Sequence, residues 1–174
     1  MANYCTTHYV VEGKRETLEK IKNVIKTVAK RYTEEKSDSL NLSGVLIALG
    51  LYTEESLREA TKDFSEDTPE NLGVSGDWHD AEVKELNGNI VLTFTEDYKW
   101  NCSCNMEALS KLAPWSDEIT AVYRRSEEPG NGIDETTDAE GKYFPKGIKI
   151  ASGLSAGDFR KIAQQIVEKQ FGEK

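Results

Sequence analysis

The chain has 174 residues, of which 37% are hydrophobic and 30% charged, and its formal net charge is −9. This length and composition are typical of one folded domain, 1–174, with a buried core, and exclude a disordered tail. The negative charge argues against general nucleic-acid binding, because attraction to phosphates supplies most non-specific affinity. No apolar run approaches the roughly 20 residues that a membrane-spanning helix needs, so we expect no membrane association.

The N-terminus and the cysteines predict a compartment. Residues 1–8 lack the basic and apolar regions of a secretory signal peptide. The chain contains three cysteines, Cys5, Cys102 and Cys104. An odd number of cysteines, this sparse, is not typical of a disulfide scaffold. We therefore expect three reduced thiols and a cytoplasmic protein.

The chain begins with a predicted strand and a long amphipathic helix. Tyr4 to Val11 is rich in Thr, Tyr and Val, which predicts a strand that ends at Gly13. From Lys14 the apolar residues recur with the helical period of 3.6. The predicted buried stripe comprises Leu18, Ile21, Ile25, Val28 and Tyr32. A basic stripe consists of Lys22, Lys26 and Lys30. We interpret it as a solvated face, and whether it is functional stays open.

Residues 40–76 are predicted to form a helical insertion. Asn41 to Gly50 is apolar and ends in a glycine that could cap a short buried helix. Thr53 precedes two glutamates, which predicts an N-cap followed by a second helix. Ser65 to Gly76 is predicted to be a loop.

A β-hairpin gives the clearest local signal. Asn87-Gly88 separates Ala81–Leu86 from Asn89–Thr95. This residue pair favours a two-residue type I′ turn, because both central positions need a positive φ. Met106 to Leu112 predicts a short helix, and the alternation over Ile119–Arg125 predicts a fourth strand that ends before Pro129.

The C-terminal part is predicted to add a hairpin and a helix, at about 131–172. The hairpin turns at Asp138–Gly141 and joins Ile133–Thr137 to Lys142–Phe144. Ser155 to Asp158 resembles a capping box that opens the final helix. The apolar stripe of that helix is Phe159, Ile162, Ala163 and Ile166.

The element order predicts the fold class. Without the insertion it is strand, helix, strand, strand, helix, strand, which is the split β-α-β order of an α+β ferredoxin-like sheet. In that order the second and fourth strands lie at the sheet edges, and exposed edges invite pairing with another chain. We expect the C-terminal elements to cover Ile119–Arg125, with Phe159, Ile162 and Ile166 docked there. A monomer is then slightly favoured over a homodimer.

Four short segments resemble the YubB ferredoxin-like family of plasmid, phage and integrative-element proteins. Met1–Cys5 is similar to its Met-Pro-Asn-Trp-Cys opening, and Asn71–Ala81 to its segment before the second strand. Leu92–Thr95 followed by Trp100 resembles the family's turn into the second helix. Glu128-Pro129-Gly130 resembles the Glu-Pro-Gly of that family. Together these segments lie within 1–13 and 71–145.

The chain departs from that family at several positions. Ala2 replaces Pro, Tyr4 and Leu72 replace Trp, and prolines near Trp100 are missing. The resemblance implies a ferredoxin-like fold and a mobile-element context. It implies no activity, so no functional residue is carried over.

No motif in the chain specifies an enzyme, a cofactor or a metal. Cys5 and His8 lie three apart on a predicted strand and would face opposite sides, which disfavours a zinc site that also used Cys102 and Cys104. Gly13-Lys14-Arg15 could bind an anion at a helix start, but a plain strand-to-helix turn is the simpler interpretation. The predicted central strand 90–95 has one aromatic residue and no flanking basic residue, unlike an RNA-recognition strand.

Two functional hypotheses follow. The preferred one is a non-catalytic module that binds another protein, because Tyr and Trp are enriched at binding hot spots. Its candidate surface consists of Trp78, His79, Tyr98, Trp100, Tyr123 and Glu128. The alternative is a small hydrolytic or ligand-binding enzyme with an acidic and histidine site near the second and fourth strands. Its candidate groups are His79, Asp77, Glu127 and Glu128. A separate nucleophile pair would combine Cys102 or Cys104 with His79, Asp77 or Asp80.

Overall fold

A computed structural model describes residues 4–35, 40–61, 73–74, 76–99, 105–112, 115–128, 130 and 132–150. These residues form an α+β structure. Its helices are α1 (Arg15–Glu35), α2 (Leu42–Ala48), α3 (Glu54–Ala60) and α4 (Asn105–Ser110). The first strands are β1 (Tyr4–Gly13), β2 (Leu40–Asn41), β3 (Gly73–Val74) and β4 (Gly76–Leu86). The later strands are β5 (Asn89–Lys99), β6 (Ile119–Glu128), β7 (Ile133–Thr136) and β8 (Lys149–Ile150).

One six-stranded sheet organises the described residues, in the order β4-β5-β1-β6-β7-β8. Its pairs are antiparallel except for the parallel contact between β7 and β8. The short strands β2 and β3 form a separate ladder. No helix in the described ranges is long and apolar enough to cross a membrane.

The predicted first strand and helix are confirmed. β1 ends at Gly13, where an added Cβ would lie only 2.7 Å from the Glu118 carbonyl oxygen, so this close approach requires glycine. The α1 residues Leu18, Ile21, Ile25 and Val28 are buried as expected, together with Val24. The side chain of Tyr32 lies outside the described part of the structure.

The core lies between α1 and one face of the sheet. Alternate residues of β1 point toward the helices, among them Tyr9 and Val11, which are buried. Tyr9 stacks on Phe94 of β5 with ring centroids 4.7 Å apart, and Trp78 of β4 lies against the same Phe94 ring. Large side chains from the adjacent strands β4, β5 and β1 therefore cover the helix face of the sheet.

The two short helices predicted within residues 40–76 are confirmed. α2 ends at a glycine, since Gly50 has φ +67° and Leu51 donates its backbone N–H to the carbonyl of Leu46 at 3.1 Å. Thr53 is the N-cap of α3, and its side chain accepts the backbone N–H of Ser56. The predicted loop 65–76 is wrong at its end, where β3 pairs with β2 and Gly76 begins β4. Residues 62–72 lie outside the described ranges.

The β4–β5 hairpin turns at Asn87 and Gly88, whose φ values of 51° and 77° confirm the predicted turn. Its strands are longer than predicted, and β4 contains a β-bulge. Between the pairs His79–Thr95 and Glu82–Thr93, β4 advances three residues while β5 advances two. The extra residue brings Val83 to the same face as Trp78, although the two are five apart.

The predicted hairpin at Asp138–Gly141 is wrong. β7 pairs instead with the end of β6, from Arg125 to Glu128. The Asp138 carboxylate accepts the backbone N–H groups of Lys142, Tyr143 and Phe144 at 2.7 to 3.0 Å. These amides are thereby withdrawn from any strand ladder, and residues 137–148, which we call the strap, fold back as a loop. The predicted final helix, 155–172, lies outside the described residues.

Cys5 corrects the prediction of reduced thiols, because it is fully buried and disulfide-bonded. The two other cysteines, Cys102 and Cys104, lie outside the described residues. Register explains why a distant cysteine can reach Cys5: Tyr4 pairs with Lys99, so the chain leaving β5 emerges beside the start of β1. The expected cytoplasmic location thereby loses its support from reduced thiols and stays a prediction.

Reduction of this disulfide should destabilise the protein by about 2 to 4 kcal/mol, because the cross-link closes a loop of roughly 100 residues in the unfolded chain. Urea unfolding with and without reductant measures the difference. The variant Cys5→Ala should unfold like the reduced protein and be insensitive to reductant. Thiol titration of the urea-unfolded chain should find one free thiol before reduction and three after it. Three free thiols before reduction would contradict the disulfide.

Candidate functional site

The sheet face opposite the helices, which we call the open face, carries the polar side chains of the long strands. On β1 the residues that point to this face are Thr6, His8, Glu12 and the apolar Val10, and they alternate with the buried residues of the helix face. Cross-strand partners in an antiparallel sheet share a face, so the register of each strand determines which side chains meet there. Cys5 and His8 accordingly lie on opposite faces, as the sequence predicted.

Four carboxylates lie in one line across the open face. Asp77 is paired with Asp97, Asp97 with Thr6, Thr6 with Glu127, and Glu127 with Asp134. We call this line the carboxylate row. It crosses four strand spacings, or roughly 19 Å. Directly opposed like charges, such as Asp77 and Asp97, destabilise a sheet, so the row needs compensating groups.

The compensating groups come from the adjacent cross-strand line, which contains His79, Thr95, His8 and Arg125. Arg125 contacts Glu127 at 2.7 Å and Asp134 at 3.0 Å. Its hydrogen bonds to Asp134 lower the pKa of that carboxyl group and outweigh the small opposing effect of burial. Thr6 donates its hydroxyl to Asp97 at 2.6 Å. The Arg125 guanidinium group thus binds two carboxylates at one end of the row, and the Thr6 hydroxyl binds Asp97 nearer its middle.

His79 lies at the other end of the row, between two carboxylates. Its Nδ1 is 2.8 Å from Asp80 and its Nε2 is 3.1 Å from Asp97. Burial lowers the pKa of His79, but the hydrogen bonds and charges of Asp80 and Asp97 outweigh it and raise the pKa above 6.5. The bulge creates this arrangement, because Asp80 adopts φ +57° there.

The strap fastens onto the open face at the end of β1 that lies away from the row. Glu12 of β1 accepts the Tyr143 hydroxyl at 2.5 Å and also binds the ammonium group of Lys142. Burial raises the pKa of Glu12, but Lys142 and Tyr143 together outweigh it and lower the pKa. Tyr143 packs edge-on against Tyr123 of β6 with centroids 5.2 Å apart. Glu12 is therefore the latch of the strap.

A shallow cleft of about 480 Å³ separates the strap from β4. Its floor includes His8, whose Nδ1 lies 3.1 Å from the Thr95 hydroxyl. Phe144 of the strap and Lys84 of β4 also line it. The open face is thus a polar surface with a carboxylate row at one end and a cleft in the middle.

The predicted binding surface is only partly present. Trp78 is fully buried and Glu128 is 4% exposed, so the prediction is wrong for both. His79 lies on the open face and is partly exposed, and Tyr123 is half-buried there beside Tyr143. Tyr98 is half-buried opposite Cys5, at the other face, and Trp100 lies outside the described residues. Among the described residues, Trp78, Tyr98 and Tyr123 therefore do not form one surface.

The alternative enzyme residues do not converge. Asp77 and Glu127 are separated by β5 and β1, which is three strand spacings or roughly 14 Å. Glu128 is buried on the other face, and both nitrogens of His79 are already bonded. Among the described residues no group of three metal-ligating side chains occurs. The other predicted candidates, Cys102 and Cys104, lie outside those residues.

The basic segments act as surface features in the described structure. Lys14 pairs with Glu118 at 3.1 Å, so the start of α1 is partly neutralised. Lys22 pairs with Glu19, and Lys30 lies 3.8 Å from Glu34. Lys26 is exposed and lines a second cleft of about 480 Å³ between α1 and β4. These contacts support the interpretation of the stripe as a solvated face.

Sequence reasoning did not identify Thr6, Asp97, Arg125 or Asp134 as site residues. Each is an ordinary polar residue in its own segment, and only the strand register aligns them. Comparisons of the chain with models of known families, with curated proteins and with solved structures found no match. The resemblance to the YubB family therefore stays a prediction.

Glu12→Gln should loosen the strap, because a neutral amide cannot form the charge-assisted contacts that the Glu12 carboxylate makes to Lys142 and Tyr143. Hydrogen bonds to charged groups of this kind contribute about 1.5 to 3 kcal/mol, which urea unfolding can measure as an upper limit. Trypsin cleavage after Lys142 and Lys146 should become faster. Glu140→Gln is the matched control, since Glu140 is exposed in the same strap. Equal cleavage rates for the two variants would contradict the latch.

Proposed function

We propose that this protein is a non-catalytic module that binds another protein, and that the open face receives a basic segment of its partner. The observation that carries the proposal is the carboxylate row. Among the described residues the ion pairs of these four carboxylates come from two cations, Arg125 and the protonated His79, so the row keeps an excess of negative charge. Asp77 is exposed and lies directly opposite Asp97, where its charge is unfavourable in the unbound protein.

A bound Lys or Arg side chain would relieve this repulsion. Ammonium and guanidinium groups form charge-assisted hydrogen bonds to carboxylates, and these are stronger than neutral ones. An extended segment rises about 3.3 Å per residue, so about six residues match the roughly 19 Å of the row. The partner is therefore expected to present an extended stretch of about six residues with two or more basic side chains.

The bonding of His79 supports binding rather than catalysis. A general base needs an available lone pair on a ring nitrogen, within reach of the proton that it removes. The two nitrogens of His79 are occupied by Asp80 and Asp97 in the unbound protein. The alternative is a ligand-binding or hydrolytic site in the cleft, which is supported by its 480 Å³ volume and by the polar floor of His8, Thr93 and Thr95.

We also propose that the four long strands and their connecting helices form a ferredoxin-like core. Their order β4-β5-β1-β6 agrees with the second, third, first and fourth strands of that topology. The YubB resemblance and its mobile-element context are consistent with the same core. A small binding module encoded on such an element would act through a partner rather than through chemistry of its own.

Binding of a basic probe tests the proposed face. An acetylated and amidated six-residue peptide of alternating Lys and Gly should bind, and its affinity should fall as salt rises. The double variant Asp77→Asn with Asp134→Asn should weaken binding about 2- to 30-fold, since each exposed ion pair contributes about 0.2 to 1 kcal/mol. Fluorescence polarisation with a labelled peptide measures the dissociation constant.

The matched control removes the same number of negative charges from a different part of the surface. Glu54 and Glu55 are exposed on α3, which packs into the core on the helix face through Leu57. The double variant Glu54→Gln with Glu55→Gln should retain the affinity of the unmodified protein. Equal weakening by both double variants would mean that only net charge matters, and would contradict a specific face.

A further inference from the structure

We infer that His79 is a proton-controlled clasp on the carboxylate row, which holds both Asp97 and Asp80 when protonated and frees one of these carboxylates for a basic partner when neutral. This inference rests on the proposed function, because it concerns the regulation of the same face. The charge of the row alone does not predict a change of affinity near neutral pH. The clasp predicts that the affinity for a basic segment rises with pH.

The number of N–H donors on the imidazole ring determines which contacts His79 can make. A carboxylate accepts hydrogen bonds and donates none, so a ring held by two carboxylates must donate from both nitrogens. Only the imidazolium ion has two N–H donors, whereas neutral histidine has one. Nδ1 lies 2.8 Å from Asp80 and Nε2 lies 3.1 Å from Asp97. Loss of the proton must therefore break one of the two contacts.

The surroundings of His79 favour the closed clasp. The charged groups that face it are Asp77 and Asp80 on its own strand, Asp97 on β5, and Lys26 on α1. The other α1 residues of that cleft, Ile25, Ala29 and Thr33, do not titrate. Three carboxylates against one ammonium group stabilise the imidazolium ion. Thr6 on β1 donates to Asp97 and keeps that carboxyl group an acceptor.

The direction of the pH dependence follows from the same contacts. Asp80 and Asp97 outweigh the opposing effect of burial and raise the pKa of His79 above 6.5. The clasp is closed below pH 6.5 and opens as the pH rises through that higher value. The stability that the clasp gives to the folded state is lost over the same interval, since the folded-state pKa is the higher one. The side chain is 37% exposed, so protons reach it directly.

His8 provides an internal control, because the chain contains two histidines. Both lie on the open face, and both are paired across the strands with Thr95. The Nδ1 of His8 contacts a hydroxyl group, which can donate or accept, so the neutral ring keeps this contact. Only His79 has a bonding pattern that requires the proton.

The experiment measures binding of the Lys-Gly peptide between pH 5.5 and 9, together with the NMR signals of the two imidazole rings. Unmasking one carboxylate should raise the affinity of the unmodified protein about 1.4- to 5-fold with pH. His79→Gln should bind at pH 5.5 as tightly as the unmodified protein does at pH 8.5, and should lose this rise. His8→Gln should retain it. Any pH dependence of the affinity that remains in His79→Gln arises from other titratable groups, such as the N-terminal amino group of the protein.

The NMR titration keeps the two proposals distinguishable. The His79 signal should titrate above 6.5 in the unmodified protein and at a lower pH in Asp97→Asn. Peptide binding with the same pH dependence in His79→Gln would overturn the clasp and leave the docking face intact. Absence of peptide binding at every pH would overturn the docking face and with it the regulation. A His79 signal that does not move in Asp97→Asn would overturn the clasp directly.

Discussion

The structure depends on the position of β1 at the centre of the sheet. This strand pairs with β5 on one side and with β6 on the other, so both of its backbone edges are occupied. Its two faces then have opposite environments. Tyr9 and Val11 contribute to the core beneath α1, while Thr6, His8 and Glu12 remain on the open face. Thr6 lies in the carboxylate row, His8 forms part of the cleft floor, and Glu12 binds the strap.

Both ends of β1 are fastened by long-range contacts. At its start, Cys5 is buried in a disulfide, and at its end Glu12 binds Lys142 and Tyr143 of the strap. These contacts join the strand to segments about 100 residues or more away in sequence, and such closures reduce the entropy of the unfolded chain. The polar face between them therefore lies on a rigid support, which favours its use as a preformed binding surface.

The β-bulge in β4 connects the core to the open face. It lets Trp78 and Val83 both reach the core, and the residue that makes this possible, Asp80, adopts a left-handed conformation and binds His79. A non-glycine residue at positive φ and a pair of opposed aspartates are both locally unfavourable. They occur within four residues of each other, at one corner of the sheet. Local rules are most often broken at functional sites, which agrees with a binding role for this corner.

The sequence by itself determined the elements whose signals are local. The period of α1, the Asn87-Gly88 turn and the Thr53 N-cap depend on neighbouring residues, so each was predictable. Only the tertiary structure decided the carboxylate row, the disulfide of Cys5 and the loop formed around Asp138. A cross-strand row needs the register of several strands at once, and one bulge changes the face of every residue beyond it. For that reason the aromatic residues predicted as a surface include the buried Trp78, whereas the aligned carboxylates had no signal in the sequence.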